Sequence, residues 1–337
     1  MRVSVVVTSY NQRNYLIEAI ESLLNQALLP HEIIICDDCS SKDDSREVIL
    51  GYASRYPHLI LPILQDKNIG VAANRNAGLR AACGDYVTTL DGDDHFLPEK
   101  IKREVDIATI NNAPIVYSNV YYINQKGQRT GVRYHTGQQI QGCVFEAVAT
   151  MKFAPPRELL IARACFDAIG YQNEKLSIYE DWEYAVRLTS QFLLAACRKP
   201  LIEHRRHSDG LHNAARSTHL MTMISIVQDA LNGCAKSIVV DKHKTERSLR
   251  AFLHLLQAKD YALQGKLSAA MPLVRSSIML NPWRGNAYDL LMRLMFPRLF
   301  VREARLYDHI RIGPLAVPYY LVRGMIERSE RKNGSSG

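Results

Sequence analysis

The chain has 337 residues, 47% of them hydrophobic, and a net charge of +8 from 42 Lys and Arg against 34 Asp and Glu. That length can bury one large core with a smaller unit beside it, and the ordinary composition excludes disordered and fibrous classes. The basic balance suits anionic partners (nucleoside diphosphates, nucleic acid, an anionic membrane face) without choosing among them.

The pattern begins at once with an apolar strand over residues 3–8, so no charged and apolar secretory leader is expected. Thr8-Ser9-Tyr10-Asn11 forms the loop at its end. Asn14 is placed to cap a helix whose Leu16, Ile17, Ile20, Leu23 and Leu24 share one face. Glu32-Ile33-Ile34-Ile35-Cys36 reads as a second buried strand that ends in acid, Asp37-Asp38-Cys39-Ser40. A helix through Val48 and Ile49 follows. A third apolar run, Leu59 to Leu64, leads through Asn68-Ile69-Gly70 into a helix from Val71 to about Cys83. Tyr86 to Leu90 then favours a strand, and it delivers three carboxylates within four positions: Asp91, Asp93 and Asp94, with Gly92 letting the chain turn.

Strand–helix alternation with continuous apolar strands implies a mostly parallel sheet covered by helices on both faces. Ligands bind such sheets beyond the carboxyl ends of the strands, and the three polar loops all fall on that edge. Crowded carboxylates repel unless a cation or hydrogen-bond donors hold them, and a hard divalent ion takes one or two carboxylates plus the phosphates of a substrate. A plain polar turn before the next helix would give the same residues.

Beyond Pro98 a helix to about Asn111, a strand Ile115–Ser118 and a hairpin of Val120–Ile123 with Thr130–Tyr134 are expected. Another helix begins near Glu180-Asp181-Trp182, with Trp182 on its inward face, and residues 202–210 read as a polar, basic loop. From about Met221 the pattern is helical throughout. Ala258, Tyr261, Gly265, Ala270, Ser277 and Pro282 match one tetratricopeptide-like unit at about 250–283, too few for a solenoid. The expected division is 1–215 for the α/β domain, 216–332 for an all-α region ending in a basic, amphipathic tail, and 333–337 for a flexible end. Seven scattered cysteines, with only Cys36 and Cys39 close, point to reduced thiols in a cytosolic protein. No run of eighteen apolar residues occurs, and the basic tail suggests a peripheral contact with the cytoplasmic face of a membrane.

Taken in order, Val5-Val6-Val7-Thr8-Ser9-Tyr10-Asn11, Asp37-Asp38-Cys39-Ser40, Asn68-Ile69-Gly70 with Arg75-Asn76, Leu90-Asp91-Gly92-Asp93-Asp94 and Glu180-Asp181 resemble the family 2 glycosyltransferases of the GT-A fold. The resemblance covers residues 3 to roughly 210. It implies a nucleoside-diphosphate sugar donor, with Thr8 and Tyr10 against the base and Asp38 accepting from its imide. It further implies that Arg75 reaches the nucleotide, Asp91 touches the ribose or sugar, and Asp93 binds Mn²⁺ or Mg²⁺ on the diphosphate. Asp181 would be the general base for an inverting attack by an acceptor hydroxyl, although a helix-capping acid is its plainer reading. His207 matches the family's late histidine that joins the metal or diphosphate, and a solvated histidine is equally consistent. The family usually has Gly where Cys39 stands. Acceptor contacts are expected between Lys152 and Arg157 and around Tyr179 to Trp182.

The implied activity is an inverting, metal-dependent transfer from a UDP-sugar, with dTDP second, to a glycan or lipid-linked hydroxyl in cell-surface polysaccharide or lipopolysaccharide synthesis. The alternative is a non-catalytic nucleotide-sugar-binding or scaffold subunit acting through its helical region. Loss of Asp93 or Asp181 would favour it, and both are present. A nucleotidyltransferase would show a Gly-rich phosphate loop with Lys after the first strand, and Thr8-Ser9-Tyr10-Asn11 is not one. No aromatic-interleaved basic patch supports nucleic acid as a partner.

Overall fold

The computed structural model describes residues 1–135, 137–176, 179–206, 220–283 and 285–295. Four parallel strands build one half of the sheet: β1 (Val3–Ser9), β2 (Glu32–Asp37), β3 (Ile60–Leu64) and β4 (Tyr86–Asp91). Beyond β4 the sheet turns mixed. The other strands are β5 (His95–Phe96), β6 (Ile115–Ile123), β7 (Arg129–Val132), β8 (Leu160–Ala162) and β9 (Leu194–Arg205). Their order is β3-β2-β1-β4-β8-β6-β9-β5, with β7 paired to β6. The short β8 runs antiparallel to both β4 and β6, while β9 runs parallel to β6.

Every residue of β1 is buried, because helices lie on both faces of the sheet. On one face Val5, Val7, Ile33 and Ile35 pack with Leu16, Ile20 and Leu23 of α1 (Arg13–Leu24). On the other, α3 (Val71–Ala81) presses so close that a Cβ built on Gly78 would meet Val6 Cγ1 at 2.4 Å and Cys36 Sγ at 2.7 Å. A buried ion pair fixes β4 from the side. Lys100, the first residue of α4 (Lys100–Asn111), donates to Thr88 Oγ1 at 2.7 Å and lies 2.9 Å from Glu104, which accepts from Ser118 of β6.

Three local expectations change. The first helix begins at Arg13 rather than behind an Asn14 cap. Its free N–H groups find partners across the loop edge instead, with Arg13 N donating to Asp43 and Gln12 N to Ser45 Oγ, at the start of α2 (Ser45–Arg55). The strand at 115 and the first arm of the hairpin are one strand, β6, kept continuous by irregularities beside Ser118 and Asn119. Residues 202–205, read as part of a polar loop, complete β9. Glu203, His204 and Arg205 are polar yet buried, because each has a charged partner brought from elsewhere in the fold.

The described part of Met1–Asn213, which includes α5 (Phe145–Ala149), α6 (Arg163–Ile169) and α7 (Glu180–Gln191), forms one compact unit together with Asp229–Val240. The other unit contains α9 (Lys242–Leu263), α10 (Leu267–Leu280) and α11 (Gly285–Met295), besides residues 220–228, which begin α8 (Leu220–Asn232). Asp241 caps α9 by accepting from Lys244 N, and Gly265 at φ +76° turns the chain into α10. Leu255, Ala258, Ala262, Ala270 and Val274 pack between these two helices, with Ala287 and Leu290 completing the cluster. No helix among the described residues is long and apolar enough to cross a membrane. The basic tail from 299 lies outside the described residues.

Candidate active site

Parallel register brings the polar ends of β1, β2 and β4 to one edge: Thr8 lies opposite Cys36 and Asp91, and Ser9 opposite Asp37. The loop after β2 is held by its own surroundings. Asp37 accepts from Ser40 N and Ser40 Oγ, and Asn11 N donates to that same hydroxyl. Asp38, buried, accepts from Ile69 N at 2.7 Å and Gly70 N at 3.0 Å, which ties the loop to the start of α3. Cys39 adopts φ +63°, the left-handed backbone that favours glycine. Tyr10 stands beside this loop with 44% of its surface exposed.

The loop after β4 is held differently. Asp91 accepts at Oδ1 from Arg75 (2.7 Å) and Thr8 Oγ1 (3.1 Å), while Arg157 lies 2.8 Å from Oδ2. Burial alone would raise this carboxyl; the Arg157 and Arg75 guanidinia outweigh it and hold Asp91 far below the usual carboxylate range. Arg75 is itself 1% exposed and also donates to Gln172. Asp94 accepts at Oδ1 from Arg205 N (2.7 Å), and its Oδ2 is 3.6 Å from Arg157 and 3.7 Å from His204. Burial raises Asp94 to about 7, against the pull of His204 and with a push from Asp93 and Glu158. His204 bonds Glu158 at 2.8 Å. Burial opposes ionisation of Glu158, yet His204 and Arg157 hold it at about 2. For His204 the effect of burial is likewise outweighed, and Glu158 and Asp94 raise it.

Asp93 is half-buried at the turn, and its carbonyl accepts from the Arg205 guanidinium at 3.0 Å. Carboxylate oxygens of Asp91, Asp93 and Asp94 lie within 4.8 Å of one another, as do ligand atoms of Asp94, Glu158 and His204. An all-oxygen set of this kind fits a hard divalent cation that also takes phosphate oxygens. Within the loop, Asp91 and Asp94 carry cationic or N–H partners on the oxygens that such an ion would use.

Asp181 lies in the first turn of α7 (Glu180–Gln191) and accepts from Trp182 N. A cavity of about 90 Å³ opens there, lined by Asp181, Arg157, Arg133 and Gln172 over an apolar floor that includes Leu159 and Phe166. Burial raises the neighbouring Glu180, and the Asp181 charge adds to the shift. Trp182 is a core residue whose indole donates to Val148 O at 2.9 Å.

Thr8, Asp38, Arg75, Asp91 and Asp93 therefore meet at one edge. Arg157, expected on the acceptor side, bonds Asp91 and lines the cavity beside Asp181. His207 lies outside the described residues. Glu158 and His204 went unnoticed in the sequence. Each is a charged residue at the border of an apolar run, Glu158 before Leu159-Leu160-Ile161 and His204 after Leu201-Ile202, and that position is the signal each carried.

The profile of Glycosyl transferase family 2 matches residues 4–172. A Bacillus subtilis protein named as the uncharacterized glycosyltransferase YwdF is 29% identical over 198 residues, 57% of this chain and 69% of the relative. An uncharacterized glycosyltransferase of Nostoc sp. is 42% identical over 107 residues, 32% of this chain and 33% of its own length. Among solved structures, S. aureus TarS 1-349 in complex with UDP-GlcNAc superposes with TM-score 0.60 at 16% identity, covering 98% of this chain and 92% of that one. Mannosyltransferase PcManGT from Pyrobaculum calidifontis, in complex with GDP-Man and Mn²⁺, gives TM-score 0.54 at 15% identity, covering 100% and 88%. The structural likeness speaks for the fold and the sequence match for the family: the chain belongs to glycosyl transferase family 2, a glycosyltransferase with the GT-A fold.

Proposed function

We propose that the chain is an inverting, cation-assisted transferase that moves a sugar from a UDP- or dTDP-sugar to a hydroxyl of a glycan or lipid-linked acceptor. Cell-surface polysaccharide or lipopolysaccharide synthesis is the setting we assign to it. The observation that carries the reading is the meeting of Asp91, Asp93 and Asp94 on the same sheet edge as Thr8 and Asp38. Mn²⁺ or Mg²⁺ held through Asp93 would offset charge developing on the departing diphosphate.

Thr8 and Tyr10 flank the base. Asp38 takes its imide N–H with the lone pairs left over from Ile69 and Gly70, which suits uracil and thymine alike. Arg75 acts on the donor through Asp91, orienting that carboxylate toward ribose or sugar hydroxyls. His207 joins the metal or diphosphate. Asp181 removes the acceptor proton from the side of the cavity, and the apolar floor beneath it limits water there. PcManGT's complex with GDP-Man makes the choice of base an open comparison for this fold.

The test is a donor screen by calorimetry and slow donor hydrolysis, using UDP-, dTDP- and GDP-sugars with Mn²⁺. Metal-dependent binding of a UDP- or dTDP-sugar, lost in Asp93→Ala, supports the reading, and no binding of any nucleotide sugar removes it. Asp181→Asn is expected to keep donor binding while transfer falls on the order of a hundredfold or more.

A further inference from the structure

Arg157 occupies an unusual position for a residue on the acceptor side. Its guanidinium lies 2.8 Å from Asp91 Oδ2, 3.6 Å from Asp94 Oδ2 and 3.8 Å from Glu158 Oε1. It thus spans carboxylates of both groups that are close enough together to share a cation. The backbone around it is anchored: Thr89 Oγ1 donates to Arg157 O, and Thr88 Oγ1 to Glu158 O, so β4 itself carries the segment. Glu158 is fixed in turn by His204, which lies on β9. The side chain is 33% exposed and lines the cavity that also contains Asp181.

Carboxylates this close would repel one another and draw in a divalent ion, unless a positive charge already lay among them. Arg157 is that charge. Arg75 neutralises the other oxygen of Asp91 from a buried position, so two guanidinia converge on one carboxylate. From this arrangement we propose that Arg157 is a positioning residue that serves as the built-in counter-ion of the acidic loop. It keeps Asp91 and Asp94 from acting as cation ligands, so the free chain holds a divalent ion weakly and the donor's diphosphate must supply the remaining oxygens. This rests on the reading of Asp93 as the cation's protein ligand. A consequence is that Asp91 stays oriented for donor hydroxyls whether or not the ion is bound.

The experiment measures Mn²⁺ binding by electron paramagnetic resonance of the free ion, with and without UDP, in wild type, Arg157→Gln, Arg157→Met and Arg157→Lys. Wild type should bind Mn²⁺ at least about tenfold more tightly with UDP than without it. Removing one positive charge within 4 Å of three carboxylates should tighten nucleotide-free Mn²⁺ binding by about tenfold or more in Arg157→Gln. Arg157→Met, which keeps the apolar stem, should do the same, and Arg157→Lys should stay near wild type. A purely structural role would lower stability and turnover but would not tighten Mn²⁺ binding. Unchanged nucleotide-free affinity in folded Arg157→Gln or Arg157→Met overturns the proposal. So does equally tight Mn²⁺ binding by wild type with and without UDP, which needs no variant. Failure of wild type to bind Mn²⁺ even with UDP would instead remove the cation reading itself.

Discussion

The loops after β2 and β4 each bring adjacent or near-adjacent carboxylates to the same sheet edge, yet they are neutralised by opposite means. Asp37 and Asp38 are satisfied by hydroxyl and backbone N–H donors, chiefly from Ser40 and from the Ile69-Gly70 turn. Asp91 and Asp94 are satisfied chiefly by side chains of Arg75, Arg157 and His204 drawn from three distant parts of the chain, with Thr8 Oγ1 and Arg205 N adding one hydrogen bond each. Neutral dipoles fix a carboxylate in one place. Cationic side chains, Arg75 buried and Arg157 anchored through β4, instead hold it by charge and stand where a metal ion would. The first loop is therefore held by dipoles and the second by built-in counter-ions.

The widest separation between the two loops should come from Asp93 in the loop after β4 and Asp37 in the loop after β2. Asp93→Ala is expected to lower metal-dependent transfer on the order of a thousandfold, since it removes several kcal/mol of charge stabilisation at the leaving group. Steady-state rates at saturating Mn²⁺ check this. Asp37→Asn should act on stability instead. It replaces an acceptor oxygen facing Ser40 N or Oγ with a donor, costing about 1–3 kcal/mol in denaturant melts, with turnover per folded molecule little changed. Equal losses of turnover in both variants would break the comparison.

A pH series sharpens it. Asp94 is raised to about 7, so between the ordinary carboxylate range and that value the folded chain keeps a proton that the unfolded chain releases. Stability therefore falls as pH rises through that window. His204, also raised, adds the same sign: its contribution is full below its ordinary range and is lost as pH climbs beyond its folded value. Glu158, held at about 2, acts oppositely, and its contribution is lost only on acidification below the ordinary carboxylate range. In chelator, the melting temperature should decline from about pH 5 to about pH 8, and Asp94→Asn should flatten much of that slope. An undiminished slope in Asp94→Asn would show that the second loop does not titrate as its burial implies.

The smallest effect belongs to the first loop. Cys39→Gly should stabilise the chain by about 1 kcal/mol, because glycine accepts the left-handed backbone without the Cβ penalty. A melt that drops instead would mean that the Cys39 thiol contact with Asp66 O outweighs the backbone strain.

Much of this contrast was legible in the sequence, and the illegible part has a definite cause. Apolar runs such as Val5-Val6-Val7 and Ile33-Ile34-Ile35 declare buried parallel strands, and the short acidic segments behind them declare the edge where ligands bind. Local satisfaction can be foreseen too, since Ser40 stands three residues from Asp37. What joins Asp91 to Arg157, or Glu158 to His204, is tertiary approach across 66 and 46 positions in the chain (157 − 91 and 204 − 158), which no local spacing encodes. The end of β9 was obscured for the same reason. Glu203, His204 and Arg205 look solvated until their partners His95, Glu158 and Glu18 are found. Asn14 failed as a helix cap because Asp43 and Ser45, contributed by the other acidic loop, had already taken that task.

Gly78 connects packing to electrostatics at a distance. It lets α3 lie against Val6 and Cys36 with no side chain between, and one turn earlier the same helix carries the buried Arg75 onto Asp91. The missing methyl thus works as a ruler for a charge: the gap between helix and sheet fixes how far a guanidinium reaches. Alanine at Gly78 would have to lift α3 or displace Val6 and Cys36, and any lift lengthens a 2.7 Å ion pair that nothing else in the helix can shorten. A core substitution with no polar atom of its own would then register at the donor edge as a loosened carboxylate.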